Sequence, residues 1–506
     1  MSEKNRPLLP VENFGAKGDG VTDDTLAIQK ALDAVKETGG TLLFRPDAVY
    51  LMATETERRC AISILHMKNL TLKGQNTTIL IDTLFTYADI QYSENIRLEG
   101  LNFKFRRPPY TVSKVLAVDT DALTMDIKSR DSLGIAGTWS TGIGNCFGLP
   151  MIDNGRLHMF FHTIDVLSQE DNTYRLHFNR ESLAEGLGDR LAFMGGLETE
   201  FLTPMPEVGQ VEVSAFLTTY THNFSVENCN IYNASHFCCH MRYNTGYFHF
   251  KNFNLTPEPG TDKTMVGWRD GFHIKENRAT FLWEDCTIEG VFDDTFNLSC
   301  SMLTVDEVYS PTEFTMGCRE FGGSYFMEIE AGDELLLTNS QNGDFVGLTK
   351  IKEVVKQEGP VNHVITEDPL PLNKANDVHV AITTLAQPDT TIRNCKIDGT
   401  FRFRGPVTLE NCDMRITYSW IENEPPWEGP LPKDILFKNC KLYGLREEYR
   451  FMSFGAVTMS GVQPAYCVKN VVFEDCDVNP EKLFIRPGNE VIFKKNGQIL
   501  PESVIL

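Results

Sequence analysis

Long apolar runs are missing from this 506-residue sequence. No stretch approaches the ~18 consecutive apolar residues that a membrane-spanning helix needs, so we expect no membrane partner. The first ten residues, MSEKNRPLLP, also lack the apolar core of a secretion signal. The sequence as written therefore predicts a cytoplasmic protein, although a secreted or periplasmic protein whose signal had been trimmed would have the same sequence.

Basic residues are too few to balance the acidic ones. Lys and Arg total 47 against 69 Asp and Glu, which gives a formal net charge of -22. Such a field repels polyanions. It argues against a nucleic-acid partner and, more weakly, against sulfated or uronate-rich polysaccharides. A neutral substrate is the easier one to reconcile with this charge.

Motifs that would indicate a cofactor or a metal are also missing. The 13 cysteines include no Cys-x-x-Cys pair, and their spacings match neither a zinc site nor a disulfide framework. No Gly-rich phosphate loop follows a predicted strand and opens a helix. We therefore expect no cofactor and no dedicated metal site.

A strand-turn-strand phrase recurs along the chain instead. Each copy alternates apolar and polar residues, reaches Asn or Asp, then Cys, and resumes the alternation, as in FSVENCNIYN. The cysteines that share this position are Cys229, Cys286, Cys395, Cys412, Cys440 and Cys476. A constant motif that recurs at irregular spacing predicts a β-solenoid. In such a fold short parallel strands stack coil on coil, and here the cysteines would form a buried ladder.

Two stretches lack the phrase and interrupt the predicted solenoid. Both contain alternating strands separated by tight turns, and each is long enough for a small antiparallel β-barrel. The predicted division is 1–105 for an N-terminal cap and the first coils, 106–215 for one inserted barrel, 216–302 for central coils with the catalytic acids, 303–385 for a second inserted barrel, and 386–506 for the C-terminal coils. One helical segment begins at the capping residues Thr22 and Asp23, and we expect it to cover the open end of the solenoid.

The segment around this helix, VENFGAKGDGVTDDTLAIQKALD, resembles the N-terminal part of the pectate-lyase-like superfamily. The resemblance implies an all-β fold, a right-handed parallel β-helix with an N-terminal capping α-helix. It is specific for fold and weak for function, because the superfamily includes many glycoside hydrolases. The acidic pair Asp23-Asp24 is expected to be structural, since carboxylates at a helix start accept hydrogen bonds from free N–H groups.

A second acidic pair, Asp293-Asp294, has a different context. Aligning the apolar positions of WRDGFHIKENRATFLWEDCTIEGVFDDTFNLSC sets Phe272 beside Phe296 on the next coil. That alignment stacks Asp270 against Asp294, with Asp293 next to it. Three carboxylates so close together are costly unless a proton, a cation or a substrate relieves their repulsion.

The same alignment predicts a polar column on the outer face of the coils. His273 falls beside Asn297, and Arg402 follows on the coil after the second insert. The residues expected to bind substrate are His273, Asn297, Arg402, Trp268, His240 and Arg242. Among them, Trp268 would offer an apolar platform for the C–H face of a sugar.

The coil before these strands is aligned by its apolar residues alone. In ASHFCCHM this pairs Phe237 with Phe272. Ser235 and Cys238 would then point outward in the slots that match the acidic residues and the polar column.

Two kinds of chemistry fit the three carboxylates. A glycosidase needs one protonated carboxyl that donates to the leaving oxygen and one ionised carboxylate on the opposite side of the sugar. Repulsion between two close carboxylates raises the pKa of one of them, so one can be protonated while the other is ionised. The rival is a hard-cation site, with Ca²⁺ as in many lyases and a nearby Arg or Lys as base. A solvated Asp-Asp turn without function is the third alternative, which Asp270 and the polar column make less favoured.

The order of Asp270 in Asp-Gly-Phe-His, then Asp293-Asp294, then Asn297 resembles family 110 of the glycoside hydrolases, inverting exo-α-1,3-galactosidases built as a β-helix interrupted by small β-barrels. The resemblance implies that Asp293 is the general acid and that Asp270 with Asp294 activates water, with carboxyl groups ~6.5–9.5 Å apart. The chain departs from that family at Ser299, where a His is expected. This departure bears on which sugar is bound rather than on the roles of the acidic residues.

The expected function is exo-acting, inverting hydrolysis of a terminal α-linked galactoside, with a carbohydrate as the partner. The alternatives are a β-helix polysaccharide lyase or fructotransferase, an exo-glycosidase for another sugar, and a non-catalytic glycan-binding module. The polygalacturonase branch of the superfamily ranks behind them, because its Gly-His-Gly and Arg-Ile-Lys segments are not intact here. Monomer and homo-oligomer both stay open.

Overall fold

The computed structural model describes residues 6–500 with internal gaps. The residues left out between these limits are 57, 83–84, 109, 120, 134–137, 141–146, 149–150, 154–155, 158–161, 179–199, 205–213, 262, 264, 268, 292, 319–326, 341–343, 373–376, 387–388, 417–418, 424–427, 431, 445–449 and 457–467. Strands dominate the described part, as the sequence predicts. None of its helices is long and apolar enough to cross a membrane.

Parallel strands and one helix form the N-terminal part of the chain. The strands are β1 (Leu8–Pro10), β2 (Asp19–Asp23), β3 (Gly40–Leu43), β4 (Val49–Met52), β5 (Cys60–Leu65), β6 (Lys68–Ile81), β7 (Thr86–Gln91) and β8 (Glu94–Phe105). A short 3-10 helix (Val11–Phe14) follows β1, and helix α1 (Thr25–Val35) follows β2. The apolar face of α1 joins the core of the coils. The predicted helix is present, and its role as a cover for the solenoid end stays a prediction.

The acidic pair at the start of α1 has backbone partners. Asp23 Oδ1 accepts hydrogen bonds from Thr25 N at 3.0 Å and from Thr25 Oγ1 at 2.6 Å. The Asp24 carboxylate accepts from the N–H groups of Lys17 at 2.6 Å and Gly18 at 2.9 Å. Both carboxylates therefore fix the chain around the helix start.

The first insert is an antiparallel sheet of nine strands. They are β9 (Tyr110–Asp119), β10 (Thr124–Ser129), β11 (Thr138–Ser140), β12 (Phe147–Gly148), β13 (Met151–Asp153), β14 (Arg156–Leu157), β15 (His162–Ser168), β16 (Thr173–Phe178) and β17 (Glu200–Pro204). Their order is β11-β15-β16-β10-β9-β17-β13-β14, with β12 beside β15. Its closure into a barrel stays a prediction.

The central coils return to parallel pairing. Their strands are β18 (Phe216–Thr219), β19 (His222–Ile231), β20 (Cys239–Arg242), β21 (Thr245–Leu255), β22 (Phe272–Lys275), β23 (Thr280–Glu284), β24 (Thr287–Ile288) and β25 (Asp294–Ser301). One ladder runs β5-β7-β18-β20-β22-β25, and another runs β3-β6-β8-β19-β21-β23. The first insert therefore leaves the stacking of the coils intact, because β7 pairs directly with β18 across it.

The second insert is a closed six-stranded barrel. Its strands are β26 (Leu303–Ser310), β27 (Glu313–Cys318), β28 (Glu334–Asn339), β29 (Phe345–Glu358), β30 (Val361–Thr366) and β31 (Val378–Ile382). They close in the order β26-β27-β30-β29-β28-β31 around an apolar core of their own. This confirms one of the two predicted barrels.

Helix α2 (Thr383–Ala386) leads from the barrel back to the coils. The remaining strands are β32 (Thr390–Arg393), β33 (Lys396–Phe403), β34 (Val407–Glu410), β35 (Asp413–Ile416), β36 (Ser419–Asn423), β37 (Glu428–Gly429), β38 (Lys433–Lys438), β39 (Lys441–Gly444), β40 (Met452–Ala456), β41 (Lys469–Glu474), β42 (Leu483–Ile485), β43 (Val491–Lys495) and β44 (Gln498–Ile499). β32 stacks on β23 and β33 on β25, so the ladders continue across the barrel. A 3-10 helix (Pro480–Lys482) precedes β42.

The recurring Asn-Cys phrase forms a corner of each coil. Its Asn or Asp adopts the left-handed conformation that these two residue types tolerate best, as at Asn411 with φ 54. Asn411 Nδ2 donates to Asn394 Oδ1 of the neighbouring coil at 3.3 Å, so the corners stack. The Cys that follows turns inward, and the predicted ladder is buried except at its last member, Cys476, which is partly exposed.

Candidate functional site

Three adjacent parallel strands carry the predicted site residues. In β22, β25 and β33, Phe272 lies opposite Phe296 and Phe296 opposite Phe401, all buried. Because side chains alternate along a strand, the residue that follows each of these inward-facing phenylalanines points to the outer face. His273 therefore lies opposite Asn297, which the sequence alignment predicted. Arg402 continues this column opposite Asn297, also as predicted.

The predicted alignment of the preceding strand is wrong by two residues. Cys239, not Phe237, lies opposite Phe272, and His240 lies opposite His273. A shift of two residues preserves the alternation of inward and outward side chains, so the apolar pattern cannot distinguish the two registers. Ser235 and Cys238 consequently do not occupy the predicted outward slots.

The three acidic residues meet at the N-terminal ends of β22 and β25. One carboxylate oxygen from each of Asp270, Asp293 and Asp294 lies within 4.8 Å of the others. The side chains of Asp270 and Asp294 are only 4% and 5% exposed, whereas Asp293 is 32% exposed. These nearest oxygens are closer than the ~6.5–9.5 Å span predicted for an inverting pair.

Each carboxylate has a different partner. Asp270 Oδ2 lies 2.6 Å from His273 Nδ1. Asp293 Oδ2 lies 3.4 Å from the Nε of exposed Arg269. Asp294 Oδ2 lies 3.2 Å from Arg402 Nε and accepts a hydrogen bond from Asn297 Nδ2 at 3.3 Å. The first carboxyl of the cluster thus contacts an imidazole, the second contacts an exposed guanidinium, and the third is held by two hydrogen-bond donors.

Burial controls the protonation of this cluster. It raises the pKa of Asp270 well above its usual value, and the negative charges of Asp293, Asp294 and Glu428 add to that increase. The pKa of Asp294 is raised to about 7, mainly by burial, although Arg402 opposes the increase. The cluster therefore retains a proton near neutral pH.

His273 is neutral in this environment. Burial is the largest cause that lowers its pKa well below the usual value, and the positive charge of Lys275 contributes. The 2.6 Å contact with Asp270 is therefore a hydrogen bond between neutral groups rather than an ion pair. The ring of Phe237 stacks on His273 with centroids 4.1 Å apart, which fixes the imidazole plane.

The other predicted substrate-binding residues have distinct surroundings. His240 packs its ring edge-on against His273, and its buried Nε2 has no hydrogen-bond partner among the described residues. Arg242 Nε lies 3.5 Å from buried Glu276. Trp268 lies outside the described residues. Of these three, His240 offers a polar atom that a substrate hydroxyl can satisfy.

Sequence reasoning missed two residues of the site. Glu428, from β37, accepts hydrogen bonds or ion pairs from Lys275 Nζ at 2.7 Å, from Asn297 Nδ2 at 3.2 Å and from Arg402. Lys275 was detectable, because it follows His273 by two positions on one strand and so shares its face. Glu428 gave no such signal, since its segment ENEPPWEGP has no strand periodicity.

The three carboxylates also form a donor set suited to a hard cation, because such ions prefer oxygen ligands. Two of them already contact arginines, Asp293 with Arg269 and Asp294 with Arg402. The protein itself therefore supplies positive charge to the cluster. A cation would have to compete with both guanidinium groups.

Comparison with known proteins adds a family model and distant relatives. Residues 9–236 match the model described as rhamnogalacturonase A/epimerase, pectate lyase-like. The chain is 23% identical over 374 residues to α-1,3-galactosidase A of Bacteroides thetaiotaomicron, covering 68% of this chain and 63% of the relative. It is 21% identical over 396 residues to α-1,3-galactosidase B of Akkermansia muciniphila, covering 72% of this chain and 48% of the relative.

The matches thus span about half to two thirds of the length of these curated relatives. Among solved structures, an exopolygalacturonase from Thermotoga maritima overlaps with a TM-score of 0.34 at 12% identity, covering 98% of this chain and 93% of the other. Residues 9–236 are thus similar to a pectate lyase-like family model, and the chain is similar at 21–23% identity to proteins named α-1,3-galactosidase.

Proposed function

We propose that this protein is an exo-acting glycoside hydrolase that removes a terminal α-linked galactose. The observation that carries the proposal is the convergence of three carboxylates, two buried and one partly exposed, on one outer face of the coils. The distant relatives named α-1,3-galactosidase support the choice of galactose. A hydrolase of this kind needs only protein carboxyl groups and water.

In the proposed mechanism, Asp293 is the general acid. It is the most exposed of the three carboxyl groups, so it can face a departing aglycone at the solvent side of the site. Asp294 takes a proton from the attacking water, and Asp270, which is protonated beside His273, helps to hold that water in place. A base with a pKa near 7 suits this role, because it is both ionised and a strong acceptor near neutral pH.

The proposed stereochemical outcome is inversion by direct attack of water. The second candidate is a retaining double displacement, which the short approach of the nearest carboxylate oxygens favours. Retaining glycosidases place their carboxyl groups ~5–5.5 Å apart, whereas inverting enzymes leave room for a water molecule. The anomer that is released first distinguishes the two mechanisms.

The test of the proposal is a panel of aryl α- and β-glycosides together with α-1,3-linked galactobiose. We expect release of galactose from α-galactosides, unaffected by a chelator. An unsaturated product that absorbs in the ultraviolet, or activity that a chelator abolishes, would instead indicate a metal-dependent lyase at the same carboxylates. Binding without turnover of any glycoside would indicate a glycan-binding module.

The acidic limb of the pH profile should report the ionisation of Asp294. Because Asp294 acts in its ionised form, kcat/KM should rise with pH through about 7. Arg402 lowers the pKa of Asp294, so Arg402→Gln should move this limb to higher pH. Arg415→Gln is the matched control, because Arg415, on β35, is a similarly buried arginine that pairs with Asp398 rather than with a carboxyl of the cluster. A limb that stays in place in Arg402→Gln would contradict the assignment of Asp294 as the base.

A further inference from the structure

Glu428 is brought to the site by a short antiparallel contact between distant parts of the chain. Strand β37 pairs with the end of β25, with Ser301 opposite Glu428 and Cys300 opposite Gly429. The backbone of Gly429 packs so close to Met302 that a Cβ at that position would collide with the methionine sulfur. The pairing of β37 with β25 sets where the Glu428 side chain starts.

The Glu428 carboxylate forms ion pairs with two cations of the site. Its Oε1 lies 2.7 Å from Lys275 Nζ, and its Oε2 pairs with the guanidinium of Arg402. The Glu428 side chain is 13% exposed and Lys275 is buried, so water screens this group of charges only weakly. Burial acts to raise the pKa of Glu428, but Lys275 and Arg402 outweigh it and hold that pKa well below its usual range. Glu428 is therefore ionised.

The other cations described around the cluster also face carboxylates. Arg269 lies beside Asp293, and Arg242 lies beside Glu276. Fully buried Arg404 acts electrostatically on both Asp294 and Glu428.

A ligand that brings its own carboxylate needs a cation, because an unpaired charge in a buried site is costly. Galactose and galacturonate differ only at C6, which is the carbon of a hydroxymethyl group in one and of a carboxylate in the other. A hydroxyl can donate a hydrogen bond to an ionised carboxylate, whereas a second carboxylate is repelled by it. A fixed negative charge beside C6 therefore favours the neutral sugar over the uronate.

We propose that Glu428 is the specificity-determining residue that excludes uronic acids, because it occupies Lys275 and Arg402, the cations that a sugar carboxylate would bind. The substrate class is accordingly a neutral terminal hexose. The inference rests on the proposed function in so far as the ligand of this site is a sugar.

The test compares the binding of galactose and galacturonate to the full chain by titration calorimetry. Wild type should bind galactose in preference to galacturonate. Glu428→Gln should change the ratio of the two dissociation constants at least about tenfold in favour of galacturonate, since it frees Lys275 Nζ and Arg402 Nη1 for charge-assisted hydrogen bonds. Glu428→Asp, which keeps the charge, should retain the preference of wild type.

Thermal unfolding of each variant shows whether it is folded. If Glu428→Gln does not fold, the double variant Lys275→Gln, Glu428→Gln carries the same prediction with Arg402 as the freed cation. An unchanged ratio in the charge-removing variant, or equal binding of both sugars by wild type, would overturn the proposal. Preference for galactose without cleavage of any glycoside would contradict the proposed hydrolase while supporting the role of Glu428.

Discussion

Replacing Asp293 by Asn is expected to lower kcat/KM for a galactoside with a poor leaving group by about 10²–10⁴-fold, the usual worth of a general acid. The folded state should be little affected. Asp293 is partly exposed, and its ionic partner Arg269 is exposed, so their interaction contributes about 0–1 kcal/mol to stability. Loss of activity without loss of stability is the signature of a chemical role.

The leaving group identifies that role more sharply. A dinitrophenyl galactoside needs no proton to depart, so Asp293→Asn should cleave it far better than it cleaves α-1,3-linked galactobiose. Asp294→Asn should be impaired on both substrates, because water must still be activated. Asp413→Asn, an exposed carboxyl on β35, is the control and should match wild type. Selective rescue of Asp294→Asn by the dinitrophenyl substrate would show that the two roles are exchanged.

Truncation of Trp283 to Ala is expected to lower the free energy of unfolding by about 3–5 kcal/mol, the cost of removing a large buried aromatic side chain. Trp283 is fully buried in the interior of the coils. Its ring stacks on Phe250 and Phe281 at centroid distances of 5.1 and 5.6 Å, and Phe296 meets it edge-on at 5.1 Å. Its loss would leave a cavity directly beneath the strands that carry the site.

Trp283→Phe is the matched variant and should cost much less. It keeps an aromatic ring in the stack and removes the indole Nε1, which has no hydrogen-bond partner among the described residues. Scanning calorimetry should rank the thermal midpoints as wild type or Trp283→Phe first and Trp283→Ala last. A midpoint of Trp283→Ala equal to that of wild type would mean that this aromatic stack does not stabilise the coils.

The coil architecture and the register at the site could be predicted from sequence because each depends on a local repeat. The left-handed Asn and the inward Cys mark the same corner in every copy, as at Asn411 and Cys412. Asp270 and Asp294 were brought together by counting from one repeated Phe to the next. The same counting failed one coil earlier, at Phe237, because the period of two leaves a two-residue slip undetected.

Glu428 marks the limit of sequence reasoning for this site. Its strand has two residues, and it pairs with β25, which comes from a distant part of the chain. The separation of roles among the carboxyl groups also depends on burial, which distinguishes partly exposed Asp293 from its buried neighbour Asp294. A sequence shows the two as an identical adjacent pair.

The most direct test of the proposed chemistry is a proton NMR time course of α-1,3-linked galactobiose incubated with the wild-type protein. The proposed single displacement predicts that β-galactose appears first and then mutarotates, with release by Asp293→Asn slowed about 10²–10⁴-fold. First appearance of α-galactose would contradict direct attack by water and would favour the retaining mechanism. Absence of any galactose from this substrate and from the α-galactosides of the panel would contradict the proposed function itself.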